Sequence, residues 1–297
     1  MAQIDPKEII EILDSTLLRP DVVDADIQKL CEDAKKYEFA AVIVNPLQIK
    51  KAKRLLRGSP VKVGAVVAFP LGEEFTAVKV KQIKKAIKAG AQDVDVVAPI
   101  SQIKQGNWEY VEKEIRKVKK AAGGRTVKII IETPLLTPEE IARATEICVR
   151  AGVRFVKTCT GFFGGADIDS VKLIINTIKS VKKSESALGV DKDQNIIEVK
   201  ASGGIRTLEQ AYDFYALGVR RIGTSCAALI AEQALNCNPQ EEKAADILDK
   251  DIKELSDPNL QSEEAEDLQD DTRSSEVNDD AQNIDVQVEI DETENNQ

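Results

Sequence analysis

From Ile12 to Thr224 the chain repeats one unit: a short apolar run rich in β-branched residues, a turn with Gly, Pro or Ser, and a longer amphipathic stretch rich in Lys and Ala. This pattern predicts strands over 12–17, 40–44, 61–68, 93–98, 127–132, 153–158, 196–201 and 219–224. The spacing between them predicts helices over 26–38, 77–89, 108–122, 138–150, 167–182 and 207–217, with a last one over 226–235. Near-continuous apolar strands alternating with helices imply a parallel sheet covered by helices, because each parallel step needs a crossover. Eight repeats in about 240 residues match an α/β fold of the closed (β/α)8 TIM barrel type. The alternative, an open doubly wound sheet, usually shows a glycine fingerprint in its first strand-helix turn. Here that turn reads Leu18-Arg19-Pro20-Asp21 and offers no phosphate cradle.

Past Leu235 the repeat stops and the charge changes sign. The formal net charge is −10, yet residues 241–297 hold 21 acids against 4 bases, leaving 30 acids against 37 bases in residues 1–240. The division is therefore a mildly basic barrel over 1–238 and an acidic tail over 239–297. With few apolar and no aromatic residues, such a tail cannot offset its ordering entropy by burial and is expected to be disordered. Two parts of it keep a period. Ile247, Leu248, Ile252 and Leu255 could make one weak amphipathic helix, while Ile284, Val286, Val288 and Ile290 alternate at strand period. The tail could thus engage a basic partner or add to a partner's sheet edge.

The chain contains no histidine. That removes Ser-His and Cys-His nucleophile systems, the imidazole general base and the usual His-containing zinc sites. Its five cysteines, Cys31, Cys148, Cys159, Cys226 and Cys237, lie far apart without a C-x-x-C pair, so reduced thiols in the cytosol are expected. No basic patch followed by an apolar stretch opens the chain, and no run of 18 apolar residues occurs. A cytoplasmic protein follows, with neither a membrane nor a nucleic-acid partner expected.

Barrel chemistry is found where polar residues end apolar strands. Asp95 lies in Val94-Asp95-Val96-Val97, Lys157 in Phe155-Val156-Lys157-Thr158, and Lys200 in Glu198-Val199-Lys200-Ala201. A lone ammonium in a buried parallel strand is costly unless paired or neutralised. Two on consecutive strands would depress each other's pKa, by like charge as well as by desolvation. At the ordinary pKa only about four amines in 10,000 are neutral at pH 7, and a fall of about three units raises that several hundred-fold. A neutral lysine can attack a carbonyl and form a Schiff base, with Asp95 moving protons through water. A buried Asp-Lys pair that only sets packing is the plainer alternative. Small-residue turns follow the last three strands: Thr160-Gly161 with Gly164-Gly165, Ser202-Gly203-Gly204, and Gly223-Thr224-Ser225. Barrels often hold phosphate on such turns, although tight strand-helix connections need them too.

At these residues the chain resembles the deoxyribose-phosphate aldolase family, class I and metal-free. The resemblance is carried by Asp14-Ser15-Thr16-Leu17-Leu18, Val44-Asn45-Pro46, Val66-Val67-Ala68-Phe69-Pro70-Leu71-Gly72, Asp93-Val94-Asp95-Val96-Val97 and Ile130-Ile131-Glu132-Thr133. It continues, in family order, through Phe155-Val156-Lys157-Thr158-Cys159-Thr160-Gly161, Val199-Lys200-Ala201-Ser202-Gly203-Gly204-Ile205-Arg206-Thr207 and Arg221-Ile222-Gly223-Thr224-Ser225. The resemblance implies Lys157 as the Schiff-base lysine, Lys200 as the amine that lowers its pKa, and Asp95 as the proton-handling partner of Lys200. It implies that Asp14 and Thr16 orient Lys200 or substrate hydroxyls, and that Gly161, Gly203, Gly204, Gly223 and Ser225 hold phosphate. The implied substrate is a small phosphorylated sugar, 2-deoxy-D-ribose 5-phosphate, cleaved to D-glyceraldehyde 3-phosphate and acetaldehyde without cofactor or metal. A homodimer is the implied assembly.

The departures bear on substrate affinity more than on reaction type. Phe162 stands where some relatives have a phosphate-holding Lys, Cys159 puts a thiol beside the site, Ala98-Pro99 replaces the usual residues after the Asp strand, and Cys226 replaces a serine. A Schiff-base aldolase acting on another sugar phosphate, or a barrel that only binds a partner through its acidic tail, are the alternatives left open by the residues.

Overall fold

Each parallel strand of this chain buries both faces, and the burial is nearly complete in the Ala-Val-Ile-Val and Asp-Val-Asp-Val-Val runs. In the structure, a computed structural model describing residues 4–187 and 196–236, the strands are β1 (Leu13–Leu17), β2 (Ala41–Val44), β3 (Lys62–Val67), β4 (Asp93–Val97), β5 (Thr126–Ile130), β6 (Phe155–Lys157), β7 (Glu198–Ser202) and β8 (Arg221–Thr224). They pair in chain order, all parallel, and β8 closes on β1. This is the (β/α)8 barrel read from the sequence. The expected tail, 239–297, and its two periodic segments lie outside the described residues, as does Cys237.

The helices are α1 (Pro6–Ile10), α2 (Asp24–Tyr37), α3 (Ile49–Leu55), α4 (Thr76–Ala89), α5 (Ile100–Lys104), α6 (Trp108–Ala121), α7 (Pro138–Arg150), α8 (Ile168–Ala187), α9 (Leu208–Leu217) and α10 (Ala227–Asn236). Their starts are encoded locally. Thr137 accepts from the Glu140 amide with Pro138 in the first turn of α7, and Thr207 does the same for Gln210 at α9, so both helices open on a capping box. The short helices α1, α3 and α5 are not among those expected from the pattern. Among the described residues no helix is long and apolar enough to cross a membrane.

Two apolar clusters result. The larger fills the space between sheet and helices; the smaller, Ala41, Ile43 and Val66, sits apart with Leu18 and Phe69 beside it. Since side chains alternate along a strand, Asp93 and Asp95 share a face, as do Asp14 and Thr16. Across that face, strand pairing sets Asp95 level with Lys128 and Lys157 level with Lys200. Elsewhere Lys79 of α4 is wholly buried, its Nζ 2.6 Å from Glu114 Oε1 of α6 and 3.0 Å from the carbonyl of Val97.

Candidate active site

The barrel interior, which branched apolar side chains ordinarily fill, is charged in this chain. Asp14, Asp93, Asp95, Lys128 and Lys200 are fully buried, Lys157 is 3% exposed and Arg221 9%. Asp95 is shared on both oxygens. Its Oδ2 accepts from Lys200 Nζ at 2.9 Å and Lys157 Nζ at 3.1 Å, and its Oδ1 from Lys128 Nζ at 3.0 Å. Asp14 accepts from Lys200 at 2.5 Å on Oδ2 and from Arg221 on Oδ1. Thr16 donates its hydroxyl to the Asp14 carbonyl, 2.9 Å away.

A cavity of about 270 Å³ opens above this layer. Lys157 lines it, together with Thr16, Gly161, Gly203, Gly204, Gly223 and Ser225, so the turns expected to hold phosphate and the expected nucleophile face one space. Asp95, Lys200 and Asp14 lie beneath and do not line it. Gly203 has φ +92, and a Cβ there would stand 2.7 Å from Cys159 Sγ. Gly223 is required by space alone: its Cβ would come within 2.9 Å of Lys200 Cε, so only glycine lets that side chain run toward Asp14.

Burial and charge act in opposite directions here. Burial alone would raise the Asp95 carboxyl, but Lys128, Lys200 and Lys157 hold it well below the usual range. Asp14 is held low in the same way by Arg221, Lys128 and Lys200. Lys128, whose Nζ is 2.9 Å from Asp93 Oδ2, is kept above its ordinary value by Asp14, Asp95 and Asp93 in spite of burial. Lys157 goes the other way, to about 8. Burial is the largest cause; Asp95 resists it, and the Lys200 charge adds to it. Desolvation and like-charge repulsion, both expected from the sequence, thus act together on Lys157, with desolvation the larger.

Five groups of the site were given no role from the sequence. Lys128, Asp93 and Arg221 complete the buried layer, and Glu132 caps β5 with φ 59, its carboxylate accepting the Thr160 amide at 3.0 and 3.2 Å. Burial pushes the Glu132 carboxyl up, while that amide pulls it back. Lys128 carried the signal that singled out Lys157, a lysine between apolar strand residues. Arg206 was also passed over and lines the cavity beside the glycine turns.

Two of the departures, Phe162 and Cys159, lie at or beside the cavity. Phe162 is 62% exposed and meets Phe69 edge to face at 5.5 Å, giving the cavity an aromatic wall. Cys159 points away, its thiol donating to the Ser202 carbonyl at 2.8 Å, and burial pushes its pKa up to about 11, so it stays protonated. Every carboxylate oxygen of the layer except Asp93 Oδ1 accepts from a lysine or arginine, which leaves these acids bound by cationic side chains.

Residues 6–226 match the family model described as DeoC/LacD family aldolase. A deoxyribose-phosphate aldolase of Mycoplasma pneumoniae is 42% identical over 237 residues, covering 80% of this chain and 99% of that protein. One from Streptococcus equi subsp. zooepidemicus is 44% identical, covering 75% of this chain and 94% of its own length. Among solved structures, the tetrameric deoxyribose phosphate aldolase of Aeropyrum pernix matches with a TM-score of 0.68 at 30% identity, over 78% of this chain and 93% of that one.

Proposed function

The chain belongs to the DeoC/LacD family and is an aldolase, and from this premise we propose that it reversibly cleaves 2-deoxy-D-ribose 5-phosphate through an imine on Lys157. One observation carries the reading: Lys157 alone of the buried charged layer reaches the cavity, and burial lowers its pKa to about 8. At pH 7 about a tenth of such amines are neutral, some two hundred times the fraction of an ordinary lysine.

The neutral Nζ attacks the aldehyde carbon of the open-chain sugar, and loss of water from the carbinolamine leaves an iminium. Removal of the proton from the hydroxyl on C3 lets the C2–C3 electron pair move toward the iminium nitrogen. The C2–C3 bond breaks, C3 becomes the aldehyde of D-glyceraldehyde 3-phosphate, and an enamine remains on Lys157. Protonation of the enamine at C2 and hydrolysis release acetaldehyde and restore the amine. Asp95 is hydrogen-bonded to the reacting nitrogen and to Lys200, so a proton can pass between the two amines through one carboxylate. Asp14 keeps Lys200 aimed at Asp95 from the far side.

The glycine turns and Ser225, with Arg206 beside them, supply amides, a hydroxyl and a guanidinium for the phosphate. In this reading the enzyme serves deoxyribose phosphate catabolism. The test is borohydride reduction with acetaldehyde followed by peptide mass mapping. A single adduct on Lys157 is expected, absent in Lys157→Arg, whose guanidinium stays protonated. Adducts spread over surface lysines would refute the imine. Faster cleavage of fructose 1,6-bisphosphate than of 2-deoxyribose 5-phosphate would reassign the substrate.

A further inference from the structure

Three members of the buried layer have no part in the reaction just described: Asp93, Lys128 and Arg221. None of them lines the cavity. Lys128 is the hub of the layer, its Nζ 2.9 Å from Asp93 Oδ2, 3.0 Å from Asp95 Oδ1 and 3.5 Å from Asp14 Oδ2. Arg221 pairs with Asp14 and comes within 3.7 Å of Asp93. Apolar residues of similar volume often replace buried ion clusters at no loss of stability. Packing alone therefore gives little reason for charges at these positions.

The composition of the layer gives a better reason. It holds three carboxylates (Asp14, Asp93, Asp95) and four cationic side chains (Lys128, Lys157, Lys200, Arg221) joined by direct ion pairs. Fully charged, it leaves one positive charge uncompensated where water is scarce, and loss of one proton makes it neutral. Lys128 contacts all three acids, and Lys200 contacts two. Lys157 contacts one, sharing that oxygen with Lys200.

We infer that Asp93, Lys128 and Arg221 are positioning residues that set the ionisation of Lys157, by fixing the charge of the layer so that the surplus proton leaves from the amine at the cavity. The inference rests on the imine reading of Lys157. The groups that face Lys157 are Asp95 from β4, Lys128 from β5, Glu132 from the turn after β5 and Lys200 from β7, with Asp14, Asp93 and Arg221 behind them. The Lys128 charge is among the causes that lower Lys157, and Lys128 itself stays protonated because three carboxylates surround it.

Sign distinguishes this role from a structural one. The experiment follows the initial rate of acetaldehyde adduct formation on Lys157 of the full-length protein, trapped with borohydride and read by peptide mass spectrometry, from about pH 6 to about pH 10. The wild-type midpoint is expected near 8. Lys128→Met and Arg221→Met each remove a positive charge and should move the midpoint up by about one pH unit. Asp93→Asn removes a negative charge and should move it down, by less, and the charge-keeping Arg221→Lys should restore the wild-type midpoint. Thermal melts show which variants fold. If Lys128→Met does not fold, Arg221→Met, Arg221→Lys and Asp93→Asn still give both signs. Midpoints that stay put, or that move the same way whichever charge is removed, overturn this inference and leave the imine intact. No Lys157 adduct in the wild type overturns the imine reading, and this inference with it.

Discussion

Burial lowers Lys157 to about 8 in the folded protein, against an ordinary 10.5 in the unfolded chain, so between those values the unfolded state binds the proton and the folded state does not. Stability from this group therefore rises with pH across that window, and below about pH 8 the protonated amine opposes folding. Lys157→Met should be more stable than wild type at neutral pH, by up to about 3 kcal/mol, and melt at a higher temperature. The gap should narrow as pH climbs toward 10, and thermal melts over that range would show it. A variant less stable than wild type at every pH would mean that the Asp95 contact outweighs desolvation. Lys157, Lys200 and Asp95 were legible in the sequence because each places a charge inside an apolar strand. Lys128 offered the same sign, third in its strand and level with Asp95, so nothing in its position sets it apart from the residues that were singled out. Asp93 and Arg221 open their strands, and their inward direction becomes visible only once pairing with neighbouring strands is known.

Among the elements, α4 is tied to the end of β4 by a buried charged side chain besides its apolar packing. Lys79 reaches both Glu114 on α6 and the carbonyl of Val97, two residues beyond Asp95, while Thr76 donates to the other Glu114 oxygen at 2.7 Å. Removing one partner leaves a charge buried alone, so Lys79→Met or Glu114→Leu should each cost about 3–5 kcal/mol in urea unfolding. The double variant should recover much of that, because two apolar side chains can pack where neither lone charge can stay. Losses that simply add would show that the two groups act independently. All eight strands were found by their apolar runs, yet four were expected to run past their C-terminal ends, two of them into a residue with positive φ. The reading over 61–68 ends at Val67 because Ala68 takes φ 54, and that over 127–132 ends at Ile130, with Glu132 at φ 59 beyond it. Nothing in a sequence marks a left-handed alanine or glutamate. The helices α1 and α5 span five residues each and α3 seven, too short for a helical period to declare itself.

At the scale of the molecule, the layer described above is divided by chain order. Its three acids stand on β1 and β4, and its four cationic groups on β5, β6, β7 and β8. The bond between Gly123 and Gly124 separates the two sets, and both glycines are exposed, a Cβ at either meeting nothing within 4 Å, so new chain ends there have room. Each fragment would then present an inner face of one sign. Two copies of either would bring like charges together in a water-poor interior, whereas one of each restores the pairs. Co-expressed fragments 1–123 and 124–297 should therefore form a one-to-one complex that traps acetaldehyde on Lys157, while each alone should fail to fold. Stable self-paired halves, seen by size exclusion, would contradict this. The buried charges would then also be an assembly code, by which the first half of the barrel selects the second and refuses its own kind.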